Sequence, residues 1–436
     1  MIKIANLFFL VSFFLVKLTF ANSEEIEGIK INFSLKEYVK LKTQHEEILK
    51  KKFIKYKPKK YKIIISTNID QKTGHKKITN YEGQVYLDGF GREHFWFKDV
   101  IQATLKFEMK DSGLFKFKEF KLLDPRPAYY DVPFFYNLLL DHFKLPSRKI
   151  SMIKIRSNFS DKIYLKVLEE SFGKNFIDSN LLPGGLIFKI SIHNKKGHKA
   201  FIDHKNQIIS DKEYINILNQ NVNSKNFSKY DDGNDDELEN LQKQFAFHLF
   251  QKYLDKNKKA SEVFDLDTAV KYFLIKTIWG EMHSLFSHNI RFYFNPINKK
   301  IFLVPSDPFY PQSLKKINKN KIALPFKVNS NQKFITIDDP DSSLFYNRDW
   351  AKNLTEDNNF RLLYFKALLN IDELNLSSLI DKIDNYNPKF QNKLSKKAKE
   401  TIKGNINHIT HLMNLEKNKK LIKSNIEFIE RKTIQN

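Results

Sequence analysis

The 436-residue chain contains no cysteine. Disulfide cross-links are therefore excluded, and so is zinc held by thiolates. Arginine is also scarce, nearly all of the 74 basic residues being lysine. A net charge of +24 ordinarily points to nucleic acid, an anionic membrane or an acidic substrate. Specific reading of phosphates and bases leans on the planar, bidentate guanidinium, so positivity made of lysine argues against a dedicated nucleic-acid role. The lysine excess runs with an excess of Asn, Ile and Phe, the footprint of an A+T-rich genome, and runs such as residues 50–52 and 57–60 read as solvated surface. No internal repeat is visible, and the GxGxxG, Walker, HExxH and GxSxG signatures are all missing. The N-terminal apolar run, residues 7–16, is interrupted by Lys17 and falls short of the about 20 residues that a spanning helix wants.

What is present is a packed globular composition, 41% hydrophobic with 40 Phe and 18 Tyr, on a length that suits two or three domains. Residues 1–21 read as a secretory signal peptide, with Lys3 as the positive n-region, residues 7–16 as the apolar stretch and Ala21 before the cleavage point. An uncleaved N-terminal membrane anchor is the alternative. Both place the body of the protein outside the cytosol, periplasmic or extracellular. Residues 22–60 are a charged lead-in, extended or helical. Residues 61–215 form a β-rich region, with strands expected at 61–67, 84–87, 103–109, 117–123, 150–155, 163–167 and 185–192. Within it, Asp131 as N-cap and Pro133 in the first turn predict a helix ending at Pro146, and residues 168–180 a second helix.

Residues 216–340 begin with a polar loop at 219–237 and continue with two helices. Leu238, Leu241, Phe245 and Leu249 share the face of one, and Leu266, Val270, Phe273, Leu274 and Ile278 that of the other, which opens at Asp265. A hairpin follows, residues 291–294 and 301–304 about a turn at 295–298. Residues 341–436 are lysine-rich, and the chain is helical from Asp349 onward. The architecture is α+β, β-rich in its N-terminal part and helical in its C-terminal part. The chemistry-bearing stretch lies around the hairpin. Asn289 at the end of a helix and Asp307 just after an apolar strand could bring an amide oxygen and a carboxylate to one cation, as kinase-type phosphoryl transfer needs.

This stretch, His283 followed by His288-Asn289-Ile-Arg291-Phe-Tyr-Phe-Asn295-Pro296 and then Asp307, resembles the spore-coat protein H (CotH) family of atypical protein kinases. Upstream, Tyr164 to Asn180 with Gly185-Leu-Ile-Phe-Lys189 is similar to the family's paired-Glu helix and the strand after it. Leu87-Asp-Gly89 with Glu93-His94, and Phe120 to Pro125, fall at the expected places, so the likeness runs in order over roughly residues 80–310. The resemblance implies a divergent protein-kinase-like (CotH-type) fold, ATP with Mg²⁺ or Mn²⁺ as cofactors, and phosphate transfer to Ser/Thr hydroxyls of a protein substrate. It implies Asn289 and Asp307 as metal ligands, and Glu169 or Glu170 as the acid that pairs a phosphate-binding lysine.

The departures cluster where that chemistry sits. Gln102 stands where relatives carry the lysine, leaving Lys98, Lys106 or Lys110, of which Lys106 is the cofactor-binding candidate. The Arg-Glu pair ahead of the later strand is Pro183-Gly184, the proline of that strand is Leu186, and an expected arginine is Ala128. Ser284 occupies the catalytic-base position, which leaves His283 as the candidate catalytic base. The alternative function is a non-catalytic envelope or surface protein that binds anionic polymer or membrane through its lysine-rich region.

Overall fold

The computed structural model describes residues 28–50, 59–70, 76–89, 94–111, 114–190, 227–229, 237–281, 285, 290–306, 308–317, 322–324, 334–336, 349–390 and 392–435. The signal-peptide reading falls on residues 1–21, outside the described residues. Among those described, no helix is long and apolar enough to cross a membrane. The chain divides into two compact units, Met1–Asp124 with Ser151–Glu169, and Pro125–Ile150 with Glu170–Asn436. The first is β-rich and the second mainly helical, an α+β organisation.

Seven strands close the barrel of the first unit: β1 (Gly28–Asn32), β2 (Tyr61–Asp70), β3 (Lys76–Leu87), β4 (Leu105–Met109), β5 (Glu119–Leu123), β6 (Ile150–Ser157) and β7 (Ser160–Glu170), in the order β1-β2-β3-β4-β5-β7-β6. Closure comes from β1, which pairs antiparallel with β2 and parallel with β6. Residues 22–60, read from sequence as a lead-in, thus supply a barrel strand and the helix α1 (Leu35–Lys50). The weak pattern of β1 is that of a five-residue strand with only Ile29 and Ile31 turned inward. Alternation sets the register elsewhere, with Tyr61, Ile63 and Ile65 of β2, Leu105, Phe107 and Met109 of β4, and Phe120 and Leu122 of β5 buried between outward-facing residues, which are polar except for the exposed Ile64. Phe107 stacks on Phe120 with centroids 4.9 Å apart.

His45 of α1 is buried, and its Nε2–H donates to the Phe95 carbonyl at 2.8 Å. Burial pushes the imidazole pKa down, only partly opposed by that bond and by Asp99. The neutral ring is the folded form, so the unfolded chain takes up the proton first as pH falls. Stability is full above the unfolded histidine pKa, about 6.5, and declines below it. Denaturant unfolding of the whole chain should show this decline. His45→Gln, which keeps a neutral donor, should flatten it, and parallel wild-type and variant profiles would rule out His45 as the source.

In the second unit, α2 (Val132–His142) and α3 (Lys174–Ser179) precede β8 (Leu186–Ile190) and β9 (Phe227–Lys229). Next come α4 (Glu237–Leu254), α5 (Ala260–Val263) and α6 (Leu266–Trp279), then β10 (Arg291–Asn295), β11 (Lys300–Val304) and α7 (Leu314–Ile317). After β12 (Ile322–Leu324) and β13 (Phe334–Thr336), a helical series completes the chain: α8 (Asp349–Glu356), α9 (Asn358–Leu369), α10 (Leu376–Asn385), α11 (Lys393–Asn414) and α12 (Glu416–Gln435). The main sheet runs β11-β10-β8-β9. Every residue of β10 is buried, and α6 is buried nearly all round, so these two elements form the centre of the unit. The sequence-based helix at 168–180 is corrected: β7 continues to Glu170, and the helix is confined to α3.

Candidate functional site

The hairpin expected from sequence is present, and its register is what matters. Arg291 lies opposite Val304 and Asn295 opposite Lys300, so the chain entering β10 through Ile290 and the chain leaving β11 toward Ser306 emerge at one end. Gly185 fixes the approach of the neighbouring strand, because a Cβ there would lie 2.3 Å from the Phe294 carbonyl oxygen. Tyr293 donates its hydroxyl to the Pro183 carbonyl, and burial pushes that phenol up to about 12.

The segment leading into β10 is anchored at its start. Asp265 caps α6 by accepting from the Thr268 amide at 2.9 Å. The helix ends at Gly280, whose φ of 73° is left-handed and whose Cβ position is 2.3 Å from the Gln312 carbonyl oxygen, so glycine is required twice over. The turn sends Glu281 back to Lys276, the two fully buried side chains meeting at 2.9 Å. The Lys276 ammonium also lies 4.9 Å from the Tyr136 ring centroid and 5.6 Å from that of Tyr272. Asn405 of α11 then ties both sides of the site together. Its amide donates to the Ile278 and Gln312 carbonyls at 2.8 and 2.7 Å and accepts from the Leu314 amide at 2.8 Å. The Trp279 indole donates to the Phe309 carbonyl at 2.7 Å. The end of α6 and the residues after β11 are thereby held to one another.

His283, Asn289 and Asp307 themselves lie outside the described residues. Among the described residues, no group of three or more His, Asp or Glu side chains could hold a metal ion. Glu169 and Glu170 are both buried, at the end of a strand rather than on a helix. Burial raises the pKa of Glu170, whose carboxylate accepts from the Lys149 amide at 3.0 Å and the Ser179 hydroxyl at 3.4 Å. Lys106 points outward from the barrel. It pairs with Glu119 at 2.6 Å, in a row with Lys60–Glu108 at 2.5 Å and Lys121–Asp88 at 2.6 Å. Gln102 ends a 3-10 turn, Val100–Gln102, opened by Asp99.

Sequence reasoning missed Lys166. It is fully buried on β7, on the same side as Leu168, and its ammonium donates to the Gln102 and Ala103 carbonyls at 2.5 and 3.0 Å. The alternation Tyr164, Lys166, Leu168 was the available signal. A lysine inside the apolar run Phe-Leu-Ile-Lys276-Thr-Ile-Trp likewise marked the buried ion pair. No family model matches the chain, and no curated protein does.

Proposed function

We propose that the chain is an exported, CotH-like atypical protein kinase in which Asn289 and Asp307 hold Mg²⁺ or Mn²⁺ against the phosphates of ATP. The observation that carries this reading is the hairpin register, which brings the flanking residues Ile290 and Ser306 out at one end beside the anchored turn after α6. An amide oxygen and a carboxylate are hard donors of the kind these cations prefer, and the chain has no thiolate to compete. The bound cation would neutralise charge developing on the transferred phosphoryl group. His283 is the group that would take the proton from a Ser or Thr hydroxyl of the protein substrate. Export adds a condition, since ATP made in the cytosol does not cross a membrane freely.

A second reading, a non-catalytic surface protein of the same fold, is favoured by Gln102 and by the outward commitment of Lys106 to Glu119. Incubation with γ-labelled ATP, Mg²⁺ or Mn²⁺ and a general acceptor such as casein separates the two. Label should enter protein with the wild type and fall on the order of 100-fold in Asp307→Ala. ATP binding without any transfer would establish the non-catalytic reading instead.

A further inference from the structure

Two residues beyond Asp307, the second unit carries a surface that the kinase reading does not use. Phe309 is 39% exposed, and the Tyr129 ring packs edge-on against both Phe309 and Tyr310 at 5.3 and 5.6 Å. Tyr129 and the adjacent Tyr130 are both left-handed, at φ 55° and 63°, a conformation unfavourable for a non-glycine residue. The Arg126 and Pro125 carbonyls hold them there by accepting from their amides. Strain of this kind persists where the surroundings over-determine it, and it concentrates at ligand clamps.

Beside the rings lies the start of α11. Tyr310 donates its hydroxyl to the Leu394 carbonyl at 3.0 Å, and the Lys397 ammonium sits 6.0 Å from the Tyr310 ring centroid. Lys393, Lys396 and Lys397 are all exposed, and helical spacing places them on one face. None of the three is in an ion pair with any described residue, whereas Lys399 and Lys403 of the same helix are both paired with Asp384. Like charges at spacings of three and four repel, a cost that an acidic partner removes. An anionic bilayer would need a broad apolar face for insertion. The exposed apolar groups here are Phe309, at 39%, and Leu394, at 38%, set among tyrosines and lysines, and this suits a chain that alternates acidic and apolar side chains.

We infer that Tyr129, Phe309, Tyr310, Lys393, Lys396 and Lys397 form a docking surface for an acidic, aromatic-containing peptide segment of a partner protein. The surface stands without the kinase reading, so its test uses no nucleotide. A fluorescein-labelled peptide of alternating Glu and Tyr is titrated by anisotropy against the full chain, with a Gln-Tyr peptide and phosphatidylserine vesicles in parallel. The Glu-Tyr peptide should bind with an affinity that falls as salt rises. That affinity should weaken on the order of tenfold in Lys393→Glu/Lys396→Glu/Lys397→Glu and in Phe309→Ala, each verified as folded by circular dichroism. Lys417→Glu/Lys420→Glu/Lys423→Glu, with the same change in charge on exposed positions of α12, should bind as the wild type does. Equal losses in the two triple variants, equal binding of the Gln-Tyr peptide, or binding to vesicles without binding to peptide would overturn the assignment.

Discussion

Asp131→Ala should destabilise the protein by about 4 kcal/mol, enough to lower its melting temperature on the order of 10 °C. The carboxylate is fully buried and accepts from four donors, namely the Tyr386 hydroxyl at 3.1 Å, the Lys389 and Phe390 amides at 2.8 and 3.3 Å, and the Ser395 hydroxyl at 2.6 Å. It thereby ties the start of α2 to the connection between α10 and α11. A hydrogen bond to a charged group contributes about 1.5–3 kcal/mol, and deleting the acceptor leaves buried donors with nothing in its place. Burial and the same carboxylate push the Tyr386 phenol far above its ordinary range. Asp131→Asn keeps one acceptor oxygen but turns an NH₂ toward donors, so its loss should be intermediate. Denaturant titration of the three forms checks the series, and a loss under about 1 kcal/mol for Asp131→Ala would show that water replaces the carboxylate at little cost.

Asp131 also shows how far the sequence could be read. Ahead of Pro133 it looks like a helix N-cap, and it does precede α2, yet its side chain makes no cap bond. Its partners lie more than 250 positions later in the chain, and no local pattern reveals them. Features fixed by local chemistry were legible, including the Asp265 cap, the apolar stripe of α6, the hairpin and the inward alternation of the barrel strands. Barrel closure was not, because β1 offers two inward residues and its parallel pairing with β6 joins segments far apart in sequence. The two-unit division was hidden for the same reason, since β6 and β7 return to the barrel after α2 has been given to the other unit.

The site divides along the same line. The hairpin follows from spacing, whereas Lys106 could not be placed by type alone. One residue in either direction along β4 separates the barrel interior from an outward ion pair. Glu169 and Glu170 sit in a stretch whose apolar spacing fits helix and strand alike, and pairing in the barrel decides for strand.

The largest functional effect is expected for nucleotide binding at the hairpin end. A ligand bound only by the native state at a concentration 100-fold above its dissociation constant adds about 2.7 kcal/mol of stability, which corresponds to a rise of several degrees in melting temperature. If Asn289 and Asp307 hold one cation as proposed, that rise depends on the metal, and removing either side chain should abolish most of it. The Lys276–Glu281 ion pair and the bonds of Asn405 to Ile278, Gln312 and Leu314 hold the end of α6 without using either residue, so the fold should survive substitution at positions 289 and 307. The decisive measurement is the melting temperature of the full chain with ATP in the presence of Mg²⁺ or Mn²⁺ and again with chelator, for the wild type, Asn289→Ala and Asp307→Ala. A metal-dependent rise confined to the wild type is the expected result. No rise with either metal, or an equal rise in all three proteins, would contradict a metal–nucleotide site at the end of the hairpin.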